Sequence, residues 1–206
     1  MFKIAVLAST RGTDLQAIID EIKAGTLEGV ELSFVLSNKR NCGAMEKAKN
    51  HNIPAIFANA KNKSREEYDR EIVKTCETHG VNLVVLVGWM RILSSFFVKK
   101  LYGKVINVHP SLLPKYPGMD LDVHTEVLKN KEKKTGMTIH FVDEGVDTGP
   151  TILQKSLQIN PGETSESLRT RVQALEKHWY PQVIGMFRDG LIRLEEDAVV
   201  VSTPQK

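Results

Sequence analysis

An α/β fold on an open, mostly parallel, doubly wound sheet is what this sequence predicts, and three observations carry that reading. Short continuous apolar runs recur at residues 3–8, 30–37 and 82–87, the pattern of strands covered on both faces. Segments with helical spacing separate them, and such alternation gives parallel strands with right-handed crossovers and helices on both sides of the sheet. The last third differs: two strands flank a loop rich in turn formers, a long helix follows, and a terminal hairpin ends the pattern, which places antiparallel strands near the C-terminus. The 206 residues suit one domain spanning 1–206, with enough chain to bury most of its apolar surface.

Residues 3–8 form the first strand. Ser9, Thr10, Arg11, Gly12 and Thr13 then turn the chain into a helix bearing Leu15, Ile18, Ile19 and Ile22. A strand–turn–helix junction of this kind aims free N–H groups and the positive helix end at one point, which favours phosphate. The lone glycine matches neither a dinucleotide fingerprint nor a Walker loop. Residues 30–37 read as the second strand, 41–50 as a helix and 53–57 as the third strand. Ser64 and Glu67 make a capping box that opens a helix through Tyr68, Ile72 and Cys76. Residues 82–87 are the most apolar strand and therefore the central one, with Trp89, Met90, Arg91, Ile92 and Leu93 just beyond its carboxyl end. Residues 123–128 are helical, and 138–142 and 151–154 are strands around the loop 143–150. Thr164 or Ser165 caps the long helix through Leu168, Val172, Leu175 and Trp179, which Pro181 is expected to bend or break. Residues 191–194 and 198–201 form the hairpin, followed by an exposed tail.

Hydrophobic residues make up 41% and charged residues 26%, with 28 basic against 25 acidic side chains and a formal charge of +3. The charges are interspersed, and the lysines at 61, 63, 131, 133 and 134 read as solvated turns, so nucleic acid is not an expected partner. Small anionic substrates are compatible with the mild positive excess. No stretch reaches membrane-spanning length and the first residues run straight into a strand, so a cytoplasmic protein is expected. Cys42 and Cys76 lie in helical segments without metal-ligand spacing and are expected to be reduced thiols. No metal site is expected, because no cluster has the spacing of a zinc or calcium site.

The chain is organised around residues 105–118, Val-Ile-Asn-Val-His-Pro-Ser-Leu-Leu-Pro-Lys-Tyr-Pro-Gly. In a strand Val105, Asn107 and His109 share one face, and Pro110, lacking an N–H, ends the strand directly after the imidazole. That puts an amide and an imidazole side by side at a carboxyl end, where open α/β sheets bind ligands. Polar groups at strand ends often serve only the backbone. Here the following His-Pro-Ser-Leu-Leu-Pro-Lys-Tyr-Pro-Gly resembles the signature of the folate-dependent formyltransferases. The loop Asp143, Glu144, Gly145, Val146, Asp147, Thr148, Gly149, Pro150 resembles that family's second signature. The likeness runs from about Phe2 to Leu194, and within the family it is to the members acting in purine synthesis.

The resemblance implies a Rossmann-like formyltransferase fold whose N-terminal half binds the ribonucleotide and its phosphate and whose C-terminal half binds folate and carries the catalysis. It implies transfer of the formyl group of 10-formyltetrahydrofolate to the primary amine of glycinamide ribonucleotide, without a metal, by a monomer or homodimer. By the same likeness Asn107 and a protonated His109 donate to the developing oxyanion, while Asp147 orients His109 and raises its pKa. Gly12, Thr13 and Asp14 hold the ribonucleotide phosphate, and Gln173 and Glu176 face the rest of that substrate, Glu176 taking the amine. Arg65, Met90, Arg91, Ile92, Leu93, Asn107, Asp143, Glu144, Gly145, Val146 and Asp147 line the folate side. Asp14 replaces a common Asn, Trp89 often-seen Phe, and Met119 to Asp122 lengthen the loop after Gly118. A formyltetrahydrofolate hydrolase-like enzyme shares the Asn, His and Asp logic but normally carries an added regulatory domain. A noncatalytic nucleotide-binding module would leave the Asn107/His109 pair structural.

Overall fold

In the structure, a computed structural model, residues 1–119 and 122–202 are described. Strands β1 (Phe2–Ala8), β2 (Val30–Ser37), β3 (Ala55–Phe57), β4 (Leu83–Val87), β5 (Val105–His109), β6 (Lys134–Phe141) and β7 (Thr151–Gln158) form one sheet in the order β3-β2-β1-β4-β5-β6-β7. The first five are parallel, and β6 and β7 run antiparallel to their neighbours. The most apolar strand, β4, stands in the middle, as its composition predicts. The strand order reverses between β1 and β4, so their carboxyl ends diverge and leave the crevice where open α/β sheets take ligands.

Helices α1 (Thr13–Lys23), α2 (Gly43–Asn50), α3 (Arg65–Thr78), α4 (Ser95–Lys100), α5 (Val123–Lys129) and α6 (Ser165–Arg188) surround the sheet, and β8 (Ile192–Glu195) pairs with β9 (Ala198–Val201) in the predicted hairpin. Two apolar clusters lie on opposite faces: Ile4, Val6, Val85 and Ile106 meet α1 and α6 on one, and Ala5, Leu7, Val84 and Val105 meet α3 and α4 on the other. The alternation along each strand is thus used on both sides, and this is why the strands read as continuous apolar runs. The capping box is formed, with Glu67 N–H donating to Ser64 Oγ and Ser64 N–H to Glu67 Oε2, and Thr164 caps α6.

Four expectations change. Pro181 does not end α6, which runs through it. The neighbouring Tyr180, Val183 and Ile184 are buried, and the Tyr180 hydroxyl sits 2.9 and 3.1 Å from the carbonyls of Leu86 and Ile106, so packing on the sheet outweighs the lost helical hydrogen bond. β3 begins after Pro54, whose carbonyl accepts from Val35 N–H but which has no N–H to return. β6 and β7 are longer than predicted, because Lys134 pairs with Gln158 across the edge and draws a turn-like composition into the ladder. Cys42 precedes α2 at its N-cap position; both cysteines are buried and free. The expected tail lies outside the described residues from 203 on, as do Asp120 and Leu121 of the lengthened loop. Among the described residues no helix is long and apolar enough to cross a membrane.

Candidate active site

β5 carries Asn107 and His109 to the middle of the sheet's carboxyl edge, and the loop after β6 brings Asp147 over them. Asp147 adopts a left-handed backbone, φ 55°, which turns its carboxylate inward. Oδ2 accepts from Gly118 N–H at 2.9 Å and lies 3.2 Å from His109 Nδ1. Oδ1 lies 3.4 Å from Asn107 Nδ2 and 3.5 Å from His140 Nε2. Burial would raise the Asp147 pKa, but the His140 ring, the Gly118 N–H and the charge of the His109 ring bring it down to about 2. The three predicted catalytic residues therefore form one cluster.

The surroundings of His109 pull its pKa in both directions. Its side chain is buried, and burial lowers its pKa below the ordinary value, although Asp147 and the Tyr116 carbonyl pull it partly back. Nε2 lies 2.7 Å from the Tyr116 carbonyl oxygen, while Nδ1 faces Asp147. Both ring nitrogens face acceptors, so a second proton finds its hydrogen-bond partner already in place.

His140, which the sequence reading passed over, belongs to the same cluster. Antiparallel register sets it opposite Asn107; Nδ1 is 2.7 Å from the Phe141 carbonyl oxygen and Nε2 is 3.2 Å from Asn107 Nδ2. The available signal was a second imidazole on the strand before the Asp147 loop, but only the register of β5 against β6 turns that into contact.

Two cavities adjoin the cluster. The first is a thin slot at the carboxyl end of β4, walled by Trp89, Ile92, Leu93 and Val142 and edged by Asn107, Arg91 and the Asp143, Gly145, Val146 and Asp147 loop. Trp89 stacks on Tyr68 with ring centroids 6.5 Å apart and planes 8° apart, and the Arg91 guanidinium covers the other ring's face at 4.6 Å. Trp89 Nε1 is buried without a partner among the described residues. The second cavity, about 530 Å³, is bounded by Thr13 and Asp14 of α1, Gly88, Val108, His124, and Gln173 and Glu176 of α6. Met119 borders both.

Gly12 shapes the α1 entrance. It is left-handed, φ 68°, leaves the first N–H groups of α1 without a side-chain cap, and approaches Ala44 so closely that a Cβ would lie 2.9 Å from that residue's Cβ. Gly88, φ +56°, allows the β4 turn to meet Thr10, whose Oγ1 would be 2.3 Å from an added Cβ. Beside the second cavity, sharing Thr13 and Gln173 with it, a groove collects Arg11, Lys47 and Lys177. Sequence reading named none of these cations as ligand groups: Arg11 adjoins Gly12 in the chain, but Lys47 and Lys177 come from two distant helices.

Three expected folate-side residues do not line the slot. Arg65 is exposed at the start of α3. Met90 borders the second cavity, because the turn after Gly88 sends it to the side opposite Trp89. Glu144 points outward, accepting from Ser95 Oγ at 2.7 Å and pairing with Lys99 at 3.2 Å. Each cavity takes residues from both halves of the chain, where strand ends from distant segments converge. Among the described residues no group of three or more His, Cys, Asp or Glu is placed to hold a metal ion.

Residues 2–184 match the family described as formyl transferase. The chain belongs to the formyl transferase family. This formyl transferase is 41% identical over 197 residues to phosphoribosylglycinamide formyltransferase of Escherichia coli strain K12, covering 95% of this chain and 91% of that one. Its fold is similar to glycinamide ribonucleotide transformylase 1 from Symbiobacterium toebii, with a TM-score of 0.92, 34% identity, and 98% and 95% of the two chains covered. A phosphoribosylglycinamide formyltransferase from Coxiella burnetii gives a TM-score of 0.92 at 37% identity over 97% of this chain and 93% of that one. A formyltetrahydrofolate deformylase from Pseudomonas syringae shares the fold at 22% identity, and this formyl transferase covers 66% of its length.

Proposed function

We propose that this formyl transferase moves the formyl group of 10-formyltetrahydrofolate to the primary amine of glycinamide ribonucleotide, a step of purine biosynthesis, and that Asn107, His109 and Asp147 perform it. One observation carries the reading: two cavities of different size meet at the end of β5, with Asn107 facing a thin slot walled by Trp89, Ile92, Leu93 and Val142, and Val108 facing a larger cavity lined by the polar side chains of Thr13, Asp14, Gln173 and Glu176. The slot suits the flat ring of a folate, held between apolar walls and the polar Asp143 to Asp147 loop. The polar cavity suits a ribonucleotide, its phosphate at Gly12, Thr13 and the free N–H groups of α1, near Arg11, Lys47 and Lys177. Gln173 and Glu176 face the sugar and amine.

Acyl transfer between two bound substrates requires the amine and formyl carbon to be held in attack geometry and the oxyanion of the tetrahedral intermediate to be stabilised. In this reading the Asn107 amide donates to that oxyanion from the slot side. His109 receives the proton the amine loses, directly or through water, Asp147 stabilises the resulting imidazolium, and that proton passes to N10 of the folate as the formyl C–N10 bond breaks and tetrahydrofolate leaves. Asp147 itself stays ionised throughout. The test is a spectroscopic assay of purified protein with both substrates. Formylation dependent on the ribonucleotide supports the reading; formate release without it points to hydrolysis, and no reaction leaves a binding module.

A further inference from the structure

Asp14 and Glu176 reach the ribonucleotide cavity from α1 and α6. They are 8% and 6% exposed, and Asp14 Oδ1 is buried without a hydrogen-bond partner among the described residues. Few charges face them. Lys177, exposed beside Glu176, is the cation whose field reaches both. Arg169 on α6 pairs with Asp122 at 3.2 Å. The buried Tyr180 directs its hydroxyl to the Leu86 and Ile106 carbonyls, and His124 of α5 borders the same cavity with its own Nδ1 unpartnered among the described residues. Two carboxylates in one desolvated cavity, with a single exposed lysine to offset them, do not both ionise at neutral pH.

We propose that Asp14 and Glu176 act as one carboxyl pair sharing a single proton, and that Asp14 is thereby a specificity residue that lets the site bind the substrate's primary amine in its neutral, nucleophilic form. This inference rests on the proposed ribonucleotide reaction. A pair with both carboxylates ionised would attract an ammonium and raise its pKa, leaving no lone pair for attack. With one proton held between them the pair carries one negative charge, accepts an N–H from the amine, and leaves its lone pair for the formyl carbon. An α-amino group titrates near about 8 in solution. The proton lost by the ammonium on binding passes to solvent, so the pair holds the same one proton before and after. Burial raises Asp14 to about 6, with Lys177 partly opposing. Burial, and then the Asp14 charge, raise Glu176 to about 8, again against Lys177. The shared proton is accordingly present at neutral pH and lost above about 8.

The test has two arms. In the first, kcat/KM for glycinamide ribonucleotide is followed against pH in wild type and Asp14→Asn, with circular dichroism to confirm folding. Wild type is expected to lose activity as pH rises through about 8, and Asp14→Asn to lose this limb, because an amide leaves the pair with at most one negative charge. In the second, the Glu176 carboxyl carbon is titrated by NMR without substrate, assigned through Glu176→Gln; its midpoint is expected to fall by about one unit or more in Asp14→Asn. The same alkaline limb in both proteins, or a Glu176 midpoint that does not move, overturns the proposal. If wild type forms no formylated product, the functional reading fails, while the NMR arm still decides whether the pair shares a proton. Should Asp14→Asn not fold, Glu176→Gln reads the pair from the other side, through a fall in the Asp14 midpoint.

Discussion

Asp147 and Asp14 are both buried carboxyl groups bordering ligand cavities, yet the protein shifts them in opposite directions. Asp147 is surrounded by the Gly118 N–H, two imidazoles and the Asn107 amide, and falls to about 2. Asp14 has an unpartnered buried oxygen and a second carboxyl sharing its cavity, and rises to about 6. Desolvation acts on both; the supply of donors decides the sign. The cluster at β5 is thus complete within the protein and fixes a charge, whereas the α1–α6 side leaves polar atoms for a ligand to answer.

The largest expected effect comes from breaking the complete side. Asn107→Ala and His109→Ala should each fold but lose formyl transfer by on the order of a hundredfold or more, the scale of an oxyanion donor or acid/base group. Near wild-type turnover in either, with circular dichroism unchanged, would remove the central groups from the mechanism. Asp147→Asn keeps the shape and deletes the charge. Its rate should drop by about tenfold or more at neutral pH, and the His109 pKa, already lowered by burial, should fall further because the carboxylate that raised it is gone. An NMR titration giving an unchanged or higher His109 pKa would contradict that role.

Stability against pH sharpens the contrast next. Asp147 has a depressed folded pKa, so its contribution is present above its unfolded value of about 3.8 and lost as pH falls through about 2; at neutral pH that is roughly 2 kcal/mol. Asp14 and Glu176 have raised folded pKa values, so stability is greatest below their unfolded values and declines as pH rises through about 6 and about 8. Urea denaturation should therefore show Asp147→Asn less stable at neutral pH and Asp14→Asn more stable, by about 1 kcal/mol, at alkaline pH. Shifts of the same sign in both variants would end the comparison. The smallest effect concerns affinity: Asp14→Asn should change KM for glycinamide ribonucleotide by less than about tenfold, roughly 1.4 kcal/mol, since the carboxyl faces Glu176's cavity while the α1 N–H groups serve the phosphate. A much larger fall in KM, unmatched for formyl-folate, would place Asp14 against the phosphate.

The strand–helix alternation, the central β4 and the pairing of Asn107 with His109 were legible because each depends on periodicity and on proline's missing N–H, both local properties. The second signature also pointed to Asp147, although nothing local shows a residue 40 positions from Asn107 arriving beside it. His140 was not legible, because its place depends on antiparallel register, and neither were Lys47 and Lys177, which meet only when α2 and α6 dock on the same sheet face. Arg65, Met90 and Glu144 lie off the slot for a related reason: a segment's position along the chain does not fix which way each side chain turns at a strand end. Pro181 followed the same logic, its local cost outweighed by the burial of its neighbours.

By itself, then, the sequence determined the order of elements, the layered α/β class and the chemical groups at the end of β5, since hydrophobic period and backbone restriction act within a few residues. Only the tertiary structure decided the charge states. Which carboxyl groups burial raises and which are held down by donors depends on donors, acceptors and solvent exclusion contributed by segments far apart in the chain, and electrostatic energy follows distance in space, not separation in sequence.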